Sequence, residues 1–87
     1  MKYCYFAEKT RSGGYFDLFR EAKGVCERLD QGTGEWVDDL EALEAQHGRT
    51  FTTLVEDEDA LAAERYVREV GPLPLDDSFL NWAKDHS

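Results

Sequence analysis

No apolar run in this sequence is longer than Tyr3-Cys4-Tyr5-Phe6-Ala7. A membrane-spanning helix needs about 20 such residues, and a secretory leader needs a basic start and roughly 7–15 apolar residues. Glu8 and Lys9 interrupt the run before it reaches either length. The expectation is a cytoplasmic protein with no membrane contact. Cysteine is nearly as scarce: Cys4 and Cys26 are the two in the chain. Their spacing fits no Cys-x-x-Cys pattern, so reduced thiols are expected, with a Cys4–Cys26 disulfide as the alternative left open. Cys4, Cys26, His47 and His86 are too widely spread for a compact zinc site. No metal and no cofactor is expected.

Basic charge is missing from the later part of the chain. Residues 1–34 carry six Lys or Arg against five Asp or Glu, and residues 35–87 carry four against fourteen. The whole has a net charge of −9 on 87 residues. Such a charge repels polyanions and favours basic partners at encounter. Catalytic signatures are also wanting. Ser12, Ser78 and Ser87 lie in no nucleophile-elbow context. Gly13-Gly14 and Gly32-x-Gly34 are turn glycines, and neither opens a helix as a phosphate-cradling loop does. Carboxylates are so numerous that a general acid and base pair carries no signal. The chain reads as a non-enzyme.

What is present is enough apolar mass to fold. Hydrophobic residues make up 41% of the chain and aromatic residues 13%. Disordered acidic tails lack such groups. A chain of this size buries roughly 60–65% of its unfolded surface, so residues 1–87 are read as one small acidic domain.

The first third has the pattern of strands. Tyr3–Ala7 is followed by turn chemistry at Thr10–Gly14. Tyr15–Arg20 follows, its alternation putting Phe16 and Leu18 on one face and Tyr15, Asp17 and Phe19 on the other. Lys23-Gly24 is a second turn, Val25–Asp30 alternates again, and Gln31–Gly34 is a third turn before Glu35-Trp36-Val37. Turn signals between β-rich runs predict an antiparallel meander.

The remainder reads mostly as helix. Asp38 with Glu41 three residues on suits a capping box for a helix over 39–47, with Gly48 at its C-terminal end. Thr50–Val55 is β-branched and reads as a strand. A helix over 57–70 starts acidic, which suits its dipole, and carries the stripe Ala60, Ala63, Val67 and Val70. Gly71-Pro72 stops it. A last helix over 76–85, capped by Asp76, offers Phe79, Leu80, Trp82 and Ala83 for packing. The fold expected is α+β: a three- to four-stranded antiparallel meander with two or three helices packed on one face. Its core would include Leu18, Leu29, Trp36, Leu40, Leu43, Val67, Phe79 and Trp82.

The runs Leu18-Phe19-Arg20, Gly24-Val25-Cys26-Glu27-Arg28-Leu29-Asp30 and Thr33-Gly34-Glu35-Trp36-Val37-Asp38-Asp39-Leu40 resemble short uncharacterised proteins of high-GC bacteria and their phages. Those proteins read as a strand hairpin ending in a Gly-x-Trp-Val segment, then an acidic helical tail. The resemblance implies the same fold and carries no activity with it.

The candidate site is a partner-binding surface made of Asp38, Asp39, Glu41, Glu44, Glu56, Asp57, Glu58, Asp59, Asp76 and Asp77. All lie at or near predicted helix starts, where capping and dipole terms alone favour acid. If those ends gather on one side of the sheet, they make one negative face. Such a face mimics the phosphate array of a nucleic acid and fits a basic groove, with strong salt dependence. The leading expectation is an inhibitor or immunity or anti-defence type protein. It would occlude a basic, nucleic-acid-handling surface of a larger protein without itself touching nucleic acid, as a monomer or small homo-oligomer. Two alternatives stand beside it. One is a single-stranded nucleic-acid-binding sheet using Tyr3, Tyr5, Arg11, Tyr15 and Arg20, since aromatics between basic residues stack bases. The other is a structural or regulatory subunit of a bacterial or phage assembly.

Overall fold

A computed structural model describes residues 2–39 and 52–86. Five strands form one antiparallel sheet: β1 (Cys4–Lys9), β2 (Tyr15–Ala22), β3 (Val25–Leu29), β4 (Trp36–Asp38) and β5 (Thr52–Val55). Two helices follow, α1 (Asp57–Glu69) and α2 (Ser78–Asp85). The strand order is β4-β3-β2-β1-β5. The first four strands are the expected meander, and β5 returns to pair with β1 on its free side. The α+β expectation holds, with five strands and two helices packed partly on the sheet.

Turn chemistry sets the meander. The β3–β4 turn is organised by Asp30, whose carboxylate accepts from the Gly32 amide at 2.7 Å and whose carbonyl accepts from the Gly34 amide at 2.7 Å. Gly34 sits at φ +77°, and a Cβ there would lie 2.4 Å from Cγ of Arg68. Only glycine combines that backbone angle with so close a neighbour. At the other end of the sheet, a Cβ on Gly14 would come within 2.4 Å of the Leu75 carbonyl carbon. That closeness lets the chain after α1 dock on the β1–β2 turn, where Thr10 Oγ1 donates to the Leu75 carbonyl at 2.6 Å.

The helices cover one face. Tyr5, Ala7, Tyr15, Leu18, Leu29 and Val55 from the strands meet Ala60, Ala63 and Val67 of α1, Leu73, and Phe79 of α2. Ala60 and Ala63 are fully buried. Their small side chains bring the α1 backbone close to the sheet, and the large strand residues fill the layer. The other face of the sheet holds a smaller buried group, Phe6, Phe19 and Cys26, with the two rings stacked at 5.2 Å.

Some details depart from the expectation. Strict alternation puts Tyr15 opposite Leu18, but the β1–β2 register shifts between Glu8 and Lys9. Two steps along β2 then match one along β1, so the alternation inverts at Phe16. Tyr15 joins the helix-covered core and packs on Phe79 at 5.0 Å, while Phe16 turns out to 56% exposure. Val70 is exposed and does not extend the stripe of α1. Trp36 and Trp82 are half-buried rather than central. Asp38 ends β4 and pairs with Glu27; it is not a helix cap. Asp77 holds the N-cap position of α2 without a side-chain cap bond, and Asp76, one residue earlier, supplies the capping carboxylate, accepting from the Ser78 amide at 3.0 Å. Leu40, Leu43 and residues 40–47 of the expected first helix lie outside the described residues.

Candidate functional site

The register of the strands locates each acidic group. β5 runs antiparallel to β1 and ends at Val55 opposite Tyr5, so Glu56 leaves the sheet beside the start of β1. Cys4, at that start, pairs with Glu21 near the end of β2, and Glu21 pairs with Cys26 near the start of β3. Asp38 ends β4 opposite Glu27, and the Asp39 amide donates to the Cys26 carbonyl at 2.9 Å. Glu56–Glu58 and Asp38–Asp39 therefore share one end of the sheet, on opposite edges. Four strand spacings of ~4.8 Å separate those edges by roughly 19 Å.

Asp76 lies elsewhere. It bridges to Ser12 and Gly13 in the β1–β2 turn, at the opposite end of the sheet, with Asp77 beside it. A six-residue strand at about 3.3 Å per residue puts that turn roughly 20 Å from the Glu56 end. The condition for a single negative face, that these ends gather on one side, is not met by Asp76 and Asp77. The structure brings Asp38, Asp39, Glu56, Asp57 and Glu58 to one end and leaves Asp76 and Asp77 at the other, while Asp59, already inside α1, is half-buried and faces toward Tyr15. Glu41 and Glu44 lie outside the described residues.

Among these carboxylates the environments differ. Glu56, Asp57 and Glu58 are exposed, and Asp59 is half-buried. The charge of Asp59 reaches Tyr15, whose phenol is pushed up to about 12, chiefly by burial and then by Asp59. Asp39 pairs with Arg28 at 3.4 Å. The Glu56 side chain makes no cap hydrogen bond at the start of α1. Glu56, Asp57 and Glu58 take part in no ion pair among the described residues. They border an open groove of about 970 Å³, which Lys2, Tyr3, Cys4, Glu21, Lys23 and Leu54 also line.

Four arginines, Arg20, Arg28, Arg65 and Arg68, are used internally. Arg20 donates to Glu27 at 2.8 Å, Arg65 to Glu69 and Arg68 to Glu64 at 2.9 Å. The Arg20 guanidinium is also held between the rings of Tyr3 at 4.1 Å and Trp36 at 4.4 Å. Sequence reasoning missed this stack, which depends on Arg20 of β2 lying between Tyr3, just before β1 on one side, and Trp36 of β4, one strand beyond β3 on the other. Of the residues named for a base-stacking sheet, Tyr5 and Tyr15 lie under the helices and Tyr3 stacks on Arg20, while Arg11 is exposed at the β1–β2 turn.

The thiols sit on one face of the sheet with β2 between them, since Cys4 and Cys26 both pair with Glu21. Two strand spacings put their Cα atoms roughly 10 Å apart, beyond the ~7 Å reach of a disulfide. Both are free, Cys4 exposed and Cys26 buried. Burial first, then Asp39, Glu21 and Glu27, push the Cys26 thiol up to about 11. Among the described residues no cluster of His, Cys, Asp or Glu could hold a metal ion, and no helix is long and apolar enough to cross a membrane. No family model, curated protein or solved structure matches the chain.

Proposed function

We propose that this protein is a non-enzymatic acidic binding module that docks on a basic surface of a larger protein, with Glu56, Asp57 and Glu58 at the centre of contact. The observation that carries this reading is uneven charge pairing. Arg20, Arg28, Arg65 and Arg68 each engage a carboxylate of the same chain. The three carboxylates at the start of α1 are exposed and have no such partner among the described residues. They are the longest run of consecutive exposed carboxylates without an ion pair among the described residues. Lys2 and Lys23 temper their charge on one side of the groove. Asp38 and Asp39, at the same end of the sheet, widen the footprint. A basic surface that normally meets nucleic acid is the chemistry such an end would occupy, and occlusion of it would make the protein an inhibitor or immunity-type factor.

The test is capture from lysate of the source cell at about 50 mM and about 300 mM salt, where the Debye length shrinks from roughly 14 Å to roughly 6 Å. A basic nucleic-acid-handling protein should be retained at low salt and shed at high salt. Reversing Glu56, Asp57, Glu58 and Asp59 to Lys should abolish that retention. Stability should move only by a few tenths to ~1 kcal/mol per residue through the helix dipole. Retention by the reversed variant at both salts would sink the reading.

A further inference from the structure

β5 ends the sheet, and among the described residues no strand pairs with its outer side. Its sequence, Thr-Thr-Leu-Val, holds no charge and no proline. Its register with β1 runs without a break from Tyr5↔Val55 to Glu8↔Thr52. Natural edges are usually guarded by an inward charge, a proline, a bulge or extreme shortness. β5, four residues long, has none of the first three, whereas β4, three residues long, also ends in a charge, Asp38. Thr53 is exposed, and Leu54 is 72% exposed. Alternate N–H and C=O groups of an edge strand point away from the sheet and can bond an added strand.

We propose that the outer edge of β5 is a strand-addition site for an extended basic segment of the partner, paired antiparallel to Thr52–Val55. The proposal rests on the acidic-docking reading above and gives it a mode. In antiparallel addition, residues of the incoming segment just before its paired stretch run past Val55 toward Glu56, Asp57 and Glu58. Lys or Arg at those positions meet unpaired carboxylates at the point where the strand leaves the sheet. A β-branched or apolar residue of the incoming strand covers Leu54. A second copy of this chain is a poorer occupant, because two molecules of charge −9 repel on approach.

The probe is a dye-labelled peptide of three lysines followed by two Val-Thr pairs, read by fluorescence anisotropy and amide hydrogen exchange at low salt. It should bind and slow exchange at amides within Thr52–Val55. N-methylation of alternate Val and Thr amides should weaken binding by about tenfold or more, or ~1.4 kcal/mol, because it removes strand hydrogen bonds and leaves the lysines untouched. Equal binding of the methylated and parent peptides would overturn strand addition while leaving acidic docking intact. Equal binding of the parent to the wild type and to the Glu56→Lys, Asp57→Lys, Glu58→Lys variant would instead remove the acidic reading. No binding and no change in β5 exchange would overturn the proposal. A dimer in sedimentation with β5 amides already protected would assign the edge to a second copy, and would overturn it too.

Discussion

β4 and β5 close the two sides of one sheet, yet α1 treats them differently. Above β4 the helix is laced to the strand. Trp36 Nε1 donates to Glu64 at 3.0 Å, Arg68 Nε donates to the Gly34 carbonyl at 2.9 Å, and Arg68 closes back on Glu64. Every charge named there has a partner. Beside β5 the helix only begins, and its first carboxylates face water. The same kind of residue thus stabilises the fold at one edge and is left available at the other. A large net charge does not say where a protein is sticky. The pattern of internal pairing does.

The largest effect should come from removing the ring that anchors the laced edge. Trp36→Ala strips the bond to Glu64, the packing on Tyr5 at 6.1 Å and one wall of the Arg20 stack. It should cost about 3 kcal/mol in urea unfolding, whereas Leu54→Ala at the other edge should stay within about 0.5 kcal/mol. Equal losses would erase the contrast.

Gly34→Ala should come next. It forces a side chain to φ +77° and into Arg68, for about 1–2 kcal/mol, read as a lowered urea midpoint. The smallest effect concerns charge that reaches in from the β4 margin. Asp17 pairs across the sheet with Glu8. Burial raises its pKa first, Arg28 lowers it, and Glu8 and Asp39 raise it further. A raised carboxylate contributes stability while protonated and loses it as pH climbs through its folded pKa. Asp17→Asn should therefore gain on the wild type in thermal midpoint between about pH 3 and about pH 7. A gain on acidification instead would reverse the sign and break the argument.

Much of the fold was legible because its signals are local. The turns at Thr10–Gly14, Lys23-Gly24 and Gln31–Gly34 use backbone chemistry that reads directly. The stripe Ala60, Ala63, Val67 is a helical period. The i, i+4 pairing of Glu64 with Arg68 is also local. What was not legible depends on partners distant in sequence. The inversion at Phe16 is set by register against β1, not by β2 alone. Return of β5 to β1 is a non-local pairing, and no residue in Thr52–Val55 encodes it. Glu64 pairs with Arg68 within its own helix, but its second role, accepting from Trp36, needs α1 to cross the sheet. The acidic site was half legible. Glu56–Glu58 could be picked out as a charge run, but the separation of Asp76 and Asp77 follows from the docking of Leu75 on Gly14.

The two thiols have a consequence in covalent terms. Cys26 is buried and held as a neutral thiol, and it lies out of reach of Cys4. The chain therefore offers a single reactive sulfur, at the groove beside β5. In an oxidant the molecule is monovalent: it can join one other thiol and then stops, so cross-linking ends at pairs and builds no polymer.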